Sequence, residues 1–585
     1  MNVVSRRSLE PASDTTRLTA GGAIFARLKA LGVDVVFCNA GTDFPPIIEG
    51  LAEAAAKEIA LPQAVVVPHE HAAMGMAHGY YQATGRAQAV MLHTNVGLAN
   101  GAIGAINAAC EHVPVLIMSG RTPVTEHTRF GARTVPIGWG QEMRDQTALV
   151  REATKWDYEL RFPEQIAEVL DRAAAIAKST PQGPVYLSLP REVLCEEIDG
   201  GGLDAPPTMR PARAGARPED VATLAQWIAE AERPIVIAQR GAGSAAGFAT
   251  LAALVDDWAL PLCHYWAVAA AIPTPHPMEV GDDPGPWLQS ADLILVIDSL
   301  APWQPDVHKP NPNARIVQLG PSPLFARFPI RSFRADMAVT GETDETLAGL
   351  VDALAPLHAG HAEKIAARHA AVSARSADVR AATLRTAEAG NRKPMTKAWV
   401  AKCVADAIAA SGRKASVVSE LGCPLGPLSV AHHNGFRQEP HAGGLGWGLP
   451  AALGIQLAEP DTLVFATVGD GSYMFANPTA CHQIAEALAL PVITLVLNNR
   501  EWGAVRQSVS GLYPDGYAAR ANRMPLTALE PSPDFTKTAA ASRAHAEPVE
   551  TGDNLPAALD RAVRIATEER RQVLLDVQVA PDGPE

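Results

Sequence analysis

The 585-residue chain is predicted to fold as an α/β protein made of three consecutive doubly wound domains, each built on a parallel sheet. Short apolar runs alternate along the chain with longer amphipathic, Ala-rich segments, which is the pattern of strands joined by crossover helices. A Gly/Pro-rich seam at 200–218 and a charged helical stretch at 358–392 divide the chain into three parts. We therefore place the domains at residues 14–200, 216–355 and 394–582.

The first domain is predicted from five short apolar runs that read as buried strands. Glu70 follows the second run and opens a helix that is rich in small residues, which permit close approach of a backbone or a ligand. The predicted strands are 33–38, 64–67, 89–92, 113–118 and 185–189.

The middle domain is predicted from strands at 235–238, 293–298 and 315–319. A glycine-rich segment, Gly241 to Gly247, follows the first of them and resembles a dinucleotide-binding loop. The next strand, at 260–265, lacks the acidic end that such a site requires, and a tight strand-to-helix turn needs glycine anyway. We favour the structural interpretation. FAD or an adenine nucleotide stays an alternative that we do not favour.

The third domain places polar residues at two neighbouring strand ends. Asp470, within Gly469-Asp470-Gly471, follows the apolar run 463–468, and Asn498-Asn499 close the run 492–497. The carboxyl ends of parallel strands meet at one edge of a sheet, where ligands of such sheets bind. Mg²⁺ takes one or two carboxylates together with substrate phosphates. The pattern therefore predicts a metal–phosphate site, against the alternative of an ordinary surface aspartate.

The residues around Asp470 suit a phosphate. Gly471 allows the backbone to approach a ligand closely, and Ser472 adds a hydroxyl donor where a helix begins. A second helix is predicted after Asn477 and Pro478, a capping residue and a first-turn proline, and the last strand of the domain is predicted at 573–579.

Composition limits the classes of partner. Apolar residues make up 47% of the chain and charged residues 19%, as expected for a folded protein. The net charge of −14 argues against nucleic acid or an anionic membrane as the main partner. The seven cysteines contain no CxxC pair, which suits a cytoplasmic protein. We expect neither a secretory signal in the first twenty residues nor a membrane-spanning segment.

Two motifs carry a resemblance to a known family. Gly469 to Ser472 with Asn498-Asn499, and Gly443-Gly444-Leu445-Gly446 through Pro450, resemble thiamine-diphosphate-dependent enzymes of the decarboxylase and acetohydroxyacid synthase superfamily. The resemblance implies a pyrimidine-binding, a central and a diphosphate-binding domain, in that order. It also implies that Mg²⁺ is bound by Asp470, the side chain of Asn499 and the backbone carbonyl of Glu501, with the choice between Asn498 and Asn499 left open.

The same resemblance implies roles around thiamine diphosphate. Glu70 would hydrogen-bond the pyrimidine ring and activate the cofactor, although a glutamate at a helix N-terminus is also favoured by the helix dipole. Leu445 would be the apolar wedge that bends the cofactor, or simply a core leucine, and the carbonyl of Gly443 would accept from the pyrimidine amino group. Gly469, Gly471 and Ser472 would contact the diphosphate. Active sites in this superfamily are shared between subunits, so a homodimer is the expected minimum and a homotetramer the expected assembly.

Two segments resemble benzoylformate decarboxylase more than acetohydroxyacid synthase: Asn39 to Asp43, which contains Thr42, and the segment around His93. A histidine at a strand end can relay a proton to a reacting carbon, although loop histidines are more often only hydrogen-bonded. The resemblance implies decarboxylation of a 2-oxo acid, with carboligation as a second outcome. The alternatives are an acetolactate-synthase-like ligase, a 2-hydroxyketone or 2-hydroxyacyl-CoA lyase, a flavin- or nicotinamide-dependent oxidoreductase and a catalytically silent paralogue. Benzoylformate decarboxylase has a second active-site histidine in its middle domain, and for its position here His308 and Trp303 are only weak candidates.

Overall fold

The computed structural model describes residues 17–581, which form three parallel sheets, one in each predicted domain, and one small antiparallel ribbon. The predicted fold class is confirmed. The predicted domain limits at residues 14 and 582 lie outside the described residues, and the other domain limits stay predictions. Within the described residues, no helix has both the length and the apolar character needed to cross a membrane.

The N-terminal domain has a six-stranded parallel sheet in the order β3-β2-β4-β5-β7-β6, and β1 pairs with β8 in the antiparallel ribbon. Its strands are β1 (Arg17–Thr19), β2 (Val35–Cys38), β3 (Gln63–Val66), β4 (Gln88–Leu92), β5 (Val115–Arg121), β6 (Asp157–Glu159), β7 (Val185–Pro190) and β8 (Glu197–Asp199). Its helices are α1 (Ala20–Ala30), α2 (Pro45–Ala56), α3 (Glu70–Thr84), α4 (Thr94–Cys110), α5 (Ile137–Gly140), α6 (Ile166–Lys178) and α7 (Arg191–Leu194).

The central domain has a five-stranded parallel sheet in the order β10-β9-β11-β12-β13. Its strands are β9 (Pro234–Ala238), β10 (Leu262–Cys263), β11 (Leu293–Ile297), β12 (Arg315–Gly320) and β13 (Met337–Thr340). The helices are α8 (Pro218–Glu230), α9 (Ala245–Asp257), α10 (Gly285–Leu288) and α11 (Thr343–Leu354), and the long α12 (Ala362–Ala389) leads to the next domain.

The C-terminal domain has a six-stranded parallel sheet in the order β15-β14-β16-β17-β19-β18. Counted from its own first strand, this order is the same as in the N-terminal sheet. The strands are β14 (Ala415–Glu420), β15 (Phe436–Gln438), β16 (Leu463–Gly469), β17 (Ile493–Asn498), β18 (His545–Val549) and β19 (Val573–Gln578). The helices are α13 (Lys397–Ser411), α14 (Gly448–Ala458), α15 (Asp470–Phe475), α16 (Pro478–Ala487), α17 (Gly503–Leu512), α18 (Tyr517–Arg520), α19 (Phe535–Ala540) and α20 (Leu555–Glu568).

The first and third domains share one apolar core because α3 packs directly on α14. A Cβ atom at Gly79 would overlap the backbone of Ala451, and one at Gly454 would overlap the backbone of Met76. Glycine is therefore required at both positions for the close approach of the two helices. The small-residue helix that follows Glu70 serves this contact between domains.

Candidate active site

The predicted metal residues meet at the carboxyl edge of the C-terminal sheet. β16 and β17 are parallel neighbours with Gly469 opposite Leu497, so Asp470 and Asn498 follow at adjacent strand ends. The two ends are also joined directly, because the backbone N–H of Arg500 donates to Asp470 Oδ2 at 2.9 Å. Gly471 N donates to the other oxygen, Oδ1, at 3.0 Å.

The carboxylate of Asp470 lies where a cation would be favoured. It is 3% exposed, and burial raises its pKa from 3.8 to about 6 although backbone N–H groups partly offset this effect. Nearby, the Ser472 hydroxyl oxygen is buried with no hydrogen-bond partner among the described residues. A buried carboxylate and an unsatisfied hydroxyl are the groups that a hard cation and a phosphate would satisfy.

The two asparagines after β17 face different surroundings. Asn498 is buried, and its amide nitrogen donates to Asp576 Oδ1 at 3.0 Å and to Ser532 Oγ at 3.2 Å. Asn499 lines the same cavity as Asp470, and its Oδ1 accepts from the N–H of Glu501 at 3.1 Å. The backbone carbonyl of Glu501 accepts from Gly503 N at 2.9 Å, which leaves its second lone pair for another partner. Only Asn499 of the two lines the cavity that contains Asp470, whereas the Oδ1 atom of Asn498 is buried with no hydrogen-bond partner among the described residues.

These residues line a cavity of about 530 Å³ between the central and C-terminal domains. Its C-terminal wall contains all the predicted cofactor contacts of that domain, namely Gly443, Leu445, Gly469, Asp470, Gly471, Ser472, Asn499 and Glu501. Gly443 has a φ of +68°, and a Cβ atom there would meet no neighbour, so the backbone of this loop is open to a ligand.

The predicted activating acid, Glu70, lies in the N-terminal domain and does not line the Asp470 cavity. It is the first residue of α3 and is 9% exposed. Its Oε2 accepts a hydrogen bond from Asn100 Nδ2 of α4 at 3.1 Å, and a Cβ atom at Gly97 would lie 3.1 Å from Oε1. Glycine at position 97 thus leaves room for the carboxylate, which Asn100 orients.

His93 caps the N-terminus of α4 and is held by a buried acid that the sequence did not single out. Its Nδ1 lies 2.5 Å from Asp43 Oδ1, and its Nε2 lies 3.2 Å from the amide nitrogen of Gln141. The hydrogen bond to Asp43 raises the pKa of His93, burial opposes this shift, and the charge of Glu70 adds to it. Thr42 is exposed beside this pair, and its carbonyl accepts from Arg191 Nη1 at 3.3 Å.

Asp43→Asn is expected to lower the pKa of His93, because the amide removes the charged acceptor that favours the imidazolium form. The histidine would then lose its proton at lower pH than in the wild-type protein. Nuclear magnetic resonance titration of isotope-labelled histidine side chains measures this shift, with the resonance of His545, far along the chain and bound to Glu547, as the internal control. An unchanged His93 titration would show that Asp43 does not set its protonation.

Within one chain the N-terminal site residues do not line the Asp470 cavity, although α3 packs on α14 and Asn107 of α4 contacts Gly444. The described residues that line the Asp470 cavity come from the central and C-terminal domains. Glu70, His93 and Thr42 belong to the N-terminal domain and are absent from that lining.

The glycine-rich loop after β9 lies at a junction of all three domains, beside a cavity of about 430 Å³. Arg240 fills part of this junction and forms ion pairs with Glu111 (2.7 Å) and Asp298 (3.5 Å). Of the two weak middle-domain candidates, Trp303 is buried in the core and His308 packs edge-on against Tyr265, a residue that lines the Asp470 cavity. A larger crevice of about 770 Å³ beside α12 contains none of the predicted site residues.

Sequence reasoning missed Asp43, Asn100 and Gln141. Asp43 directly follows Thr42 in a segment that was already singled out, so its position was the available signal. Asn100 and Gln141 carry no such signal, because their partners lie 30 and 48 residues away in the chain.

Comparison with known proteins agrees with this architecture. Family models described as the N-terminal TPP binding domain, the central domain and the C-terminal TPP binding domain of thiamine pyrophosphate enzymes match residues 18–149, 221–350 and 426–577. A probable 2-ketoarginine decarboxylase of Pseudomonas aeruginosa is 28% identical over 90% of this chain and 88% of its own. A probable acetolactate synthase large subunit of Methanocaldococcus jannaschii is 24% identical over 96% of this chain and 91% of its own. The solved structure of a thiamine-diphosphate-dependent 4-hydroxybenzoylformate decarboxylase of Rhodococcus jostii is similar in fold, with a TM-score of 0.74, 22% identity and coverage of 96% of this chain and 99% of that chain.

Proposed function

Because the chain belongs to the thiamine-diphosphate-dependent enzyme superfamily, we propose that it is a Mg²⁺-dependent 2-oxo acid decarboxylase, with carboligation to a second carbonyl compound as a further outcome. The observation that carries the proposal is one cavity lined by Asp470, Asn499 and Glu501 together with Gly443 and Leu445. This set offers one carboxylate, one amide and one carbonyl oxygen, the hard ligands that Mg²⁺ prefers.

The residues present fit the cofactor and the metal. Asp470, Asn499 and the Glu501 carbonyl would hold Mg²⁺, and Gly469, Gly471 and Ser472 would contact the diphosphate. Among the described residues no group of three or more His, Cys, Asp or Glu could hold a metal ion. When bound, the cofactor supplies the electron sink that decarboxylation of a 2-oxo acid requires.

The N-terminal domain would supply the proton chemistry. Glu70 would donate a hydrogen bond or a proton to the pyrimidine ring, and Asn100 keeps its carboxyl group in place. His93 would move a proton at the reacting carbon, because Asp43 favours its charged form and Gln141 fixes its ring. Thr42 would line the substrate side of the same pocket.

The proposed active unit is a homodimer, and the proposed assembly is a homotetramer. In support, the chain belongs to a superfamily whose active sites are shared between subunits, and Glu70 and His93 do not line the Asp470 cavity of their own chain. All seven cysteines are free thiols, which supports a reducing cytoplasm as the compartment. FAD or an adenine nucleotide at the Gly241 loop is not part of the proposal.

An acetolactate-synthase-like ligase is the second candidate, since a probable synthase large subunit matches nearly the whole chain. A 2-hydroxyketone or 2-hydroxyacyl-CoA lyase is the third. The Asp43–His93 pair favours the decarboxylase, because it provides a proton relay that would release the product as an aldehyde. Product analysis separates the three, since only the ligase consumes two 2-oxo acids for each CO₂.

The acidic side chains of the cavity suggest which 2-oxo acid to test first. Glu439 and Asp282 both line it, and burial raises the pKa of each carboxyl group. Lys397 also lines it, and its charge partly offsets the effect of burial on the pKa of Glu439. A substrate with a positively charged tail would complement the excess of carboxylates, and the relative from Pseudomonas aeruginosa is named for 2-ketoarginine.

We expect cofactor-dependent CO₂ release to be faster from 2-ketoarginine than from pyruvate or benzoylformate. Release is measured with thiamine diphosphate and Mg²⁺ added or withheld. Glu439→Gln should reduce kcat/KM for 2-ketoarginine by about tenfold or more, since a hydrogen bond to a charged group contributes about 1.5–3 kcal/mol. The matched control is the exposed Glu530→Gln. No CO₂ from any acid despite cofactor binding would contradict the decarboxylase and point to a lyase.

A further inference from the structure

The loop from His441 to Gly448 carries both Gly443 and Leu445 into the cavity. Residues 439–447 form neither helix nor strand, and Gly443 and Gly446 have φ angles of +68° and +86°. Glycines in the left-handed region leave a loop with many accessible conformations, so a single conformation needs restraints from outside the loop.

The first restraint comes from α4 of the N-terminal domain. Asn107, 1% exposed, forms a reciprocal pair with Gly444: its Nδ2 donates to the Gly444 carbonyl at 2.8 Å, and its Oδ1 accepts from Gly444 N at 3.2 Å. Glu111, one helical turn further on, accepts from His441 N at 3.0 Å through Oε1. One face of α4 thus binds the backbone of the loop at two points.

Glu111 is itself fixed by the central domain. Its other oxygen, Oε2, pairs with Arg240 Nε at 2.7 Å, and each of the two side chains is 5% exposed. Burial alone would raise the pKa of Glu111, but Arg240 and His441 outweigh it and hold the pKa at about 2. The carboxylate therefore stays charged and connects all three domains at the start of the loop.

The second restraint comes from the loop's own domain. Glu420, the last residue of β14, is fully buried and accepts from Gly446 N through Oε1 and from Gly448 N through Oε2, both at 2.5 Å. A Cβ atom at Gly448 would lie 2.9 Å from the Glu420 Cβ atom, so glycine is needed there for this contact. The residues on either side of Leu445 are thus both held, Gly444 by Asn107 of the N-terminal domain and Gly446 by Glu420 of the C-terminal domain.

We infer that Asn107, Glu111 and Glu420 are positioning residues, which set the conformation of the 441–448 loop and thereby the placement of Leu445 and the Gly443 carbonyl against the cofactor. The inference rests on the proposed function, because it concerns how the same site presents its wedge and its acceptor. It adds that the N-terminal domain, through α4, shapes the cofactor surface of the C-terminal domain of its own chain.

The test is Asn107→Asp, which keeps the size of the side chain and its acceptor for Gly444 N but loses the donor to the Gly444 carbonyl. We expect thiamine diphosphate affinity to fall about tenfold, measured in the full-length protein by quenching of tryptophan fluorescence, because Trp266 and Trp502 line the cavity. The near-ultraviolet circular dichroism of the bound cofactor should weaken as well. Both readouts are independent of turnover.

The matched control is Asn434→Asp, which breaks another hydrogen bond between the same two domains, from Asn434 Nδ2 to the Ala83 carbonyl (3.0 Å), away from the loop. It should lower the melting temperature while leaving the cofactor affinity and the dichroism unchanged. Glu420→Gln repeats the test from the other side, since an amide cannot accept both N–H bonds, and it decides the matter if Asn107→Asp does not fold.

Wild-type affinity and dichroism in a folded Asn107→Asp or Glu420→Gln variant would overturn the inference. So would equal losses of affinity in Asn107→Asp and Asn434→Asp, because these would reflect stability alone. Failure of the wild-type protein to bind thiamine diphosphate would instead refute the proposed function, and this inference with it.

Discussion

Asp470→Ala is expected to abolish Mg²⁺-dependent binding of thiamine diphosphate, weakening it by more than about a hundredfold. Asp470 is the single side-chain carboxylate in the proposed ligand set, and it is buried at the point where β16 ends. Without it, Mg²⁺ would face only neutral amide and carbonyl oxygens, and the negative diphosphate would lose the cation that joins it to the protein. Titration of cofactor against tryptophan fluorescence, with Mg²⁺ or with a chelator, measures the loss.

The two adjacent asparagines supply the matched comparison. Asn499→Ala should raise the Mg²⁺ concentration needed for cofactor binding, because Asn499 faces the cavity. Asn498→Ala should leave that concentration unchanged and destabilise the fold by about 1–3 kcal/mol, because it removes a buried hydrogen bond to Asp576. The reverse pattern would move the metal ligand to Asn498, and Mg²⁺-independent binding in Asp470→Ala would refute the metal site.

The fold could be predicted where buried strands are also mostly apolar. β16 and β19 were expected within one residue of their observed ends, because both are mostly apolar and begin with three consecutive apolar residues. The β18 edge strand, His-Ala-Glu-Pro-Val, was missed because an edge strand with solvent on one side needs no apolar pattern. β14 was missed for another reason. It is central, but it carries buried Ser416 and Ser419, and the Ser419 hydroxyl is bonded to the carbonyl of Cys423.

The helix after Asn477 begins where it was predicted, but the capping hydrogen bond expected from Asn477 is not formed. α16 begins at Pro478 with Asn477 at its N-cap, as predicted. The side chain of Asn477 makes no capping hydrogen bond, and its backbone has a φ of +52°. Asparagine tolerates the left-handed region better than most residues, so the turn itself accounts for this residue.

The sequence predicts those site residues whose proximity follows from the order of neighbouring strands, and it does not predict contacts between residues far apart in the chain. Asp470 and the asparagine pair end neighbouring strands, so their proximity follows from the parallel topology. Which asparagine faces the cavity did not follow, because successive residues at a strand end point to opposite sides. Asn107 carried no signal at all, since its partner, Gly444, is 337 residues away. Only the packing of α4 on the loop reveals it.

Glu70→Gln is expected to lower turnover by about 10²–10⁴-fold while the cofactor still binds. Glutamine keeps the length of the side chain and an oxygen that accepts from Asn100, but it has no ionisable group to exchange a proton with the pyrimidine ring. Steady-state CO₂ release gives turnover, and fluorescence quenching gives cofactor affinity. The control is Glu53→Gln, a glutamate of α2 that pairs with Lys57 at 2.8 Å. Unchanged turnover in the Glu70 variant would refute the proposed mechanism.

The same variant tests whether two chains share each site. If Glu70 of one subunit faces the Asp470 cavity of the other, a heterodimer of Glu70→Gln and Asp470→Ala subunits contains one site with both changes and one with neither. Co-expression of the two inactive chains should then restore about one quarter of wild-type activity, because half of randomly paired dimers are mixed and half of their sites are intact. No restoration, with mixed dimers verified by two affinity tags, would place both residues in one chain's site.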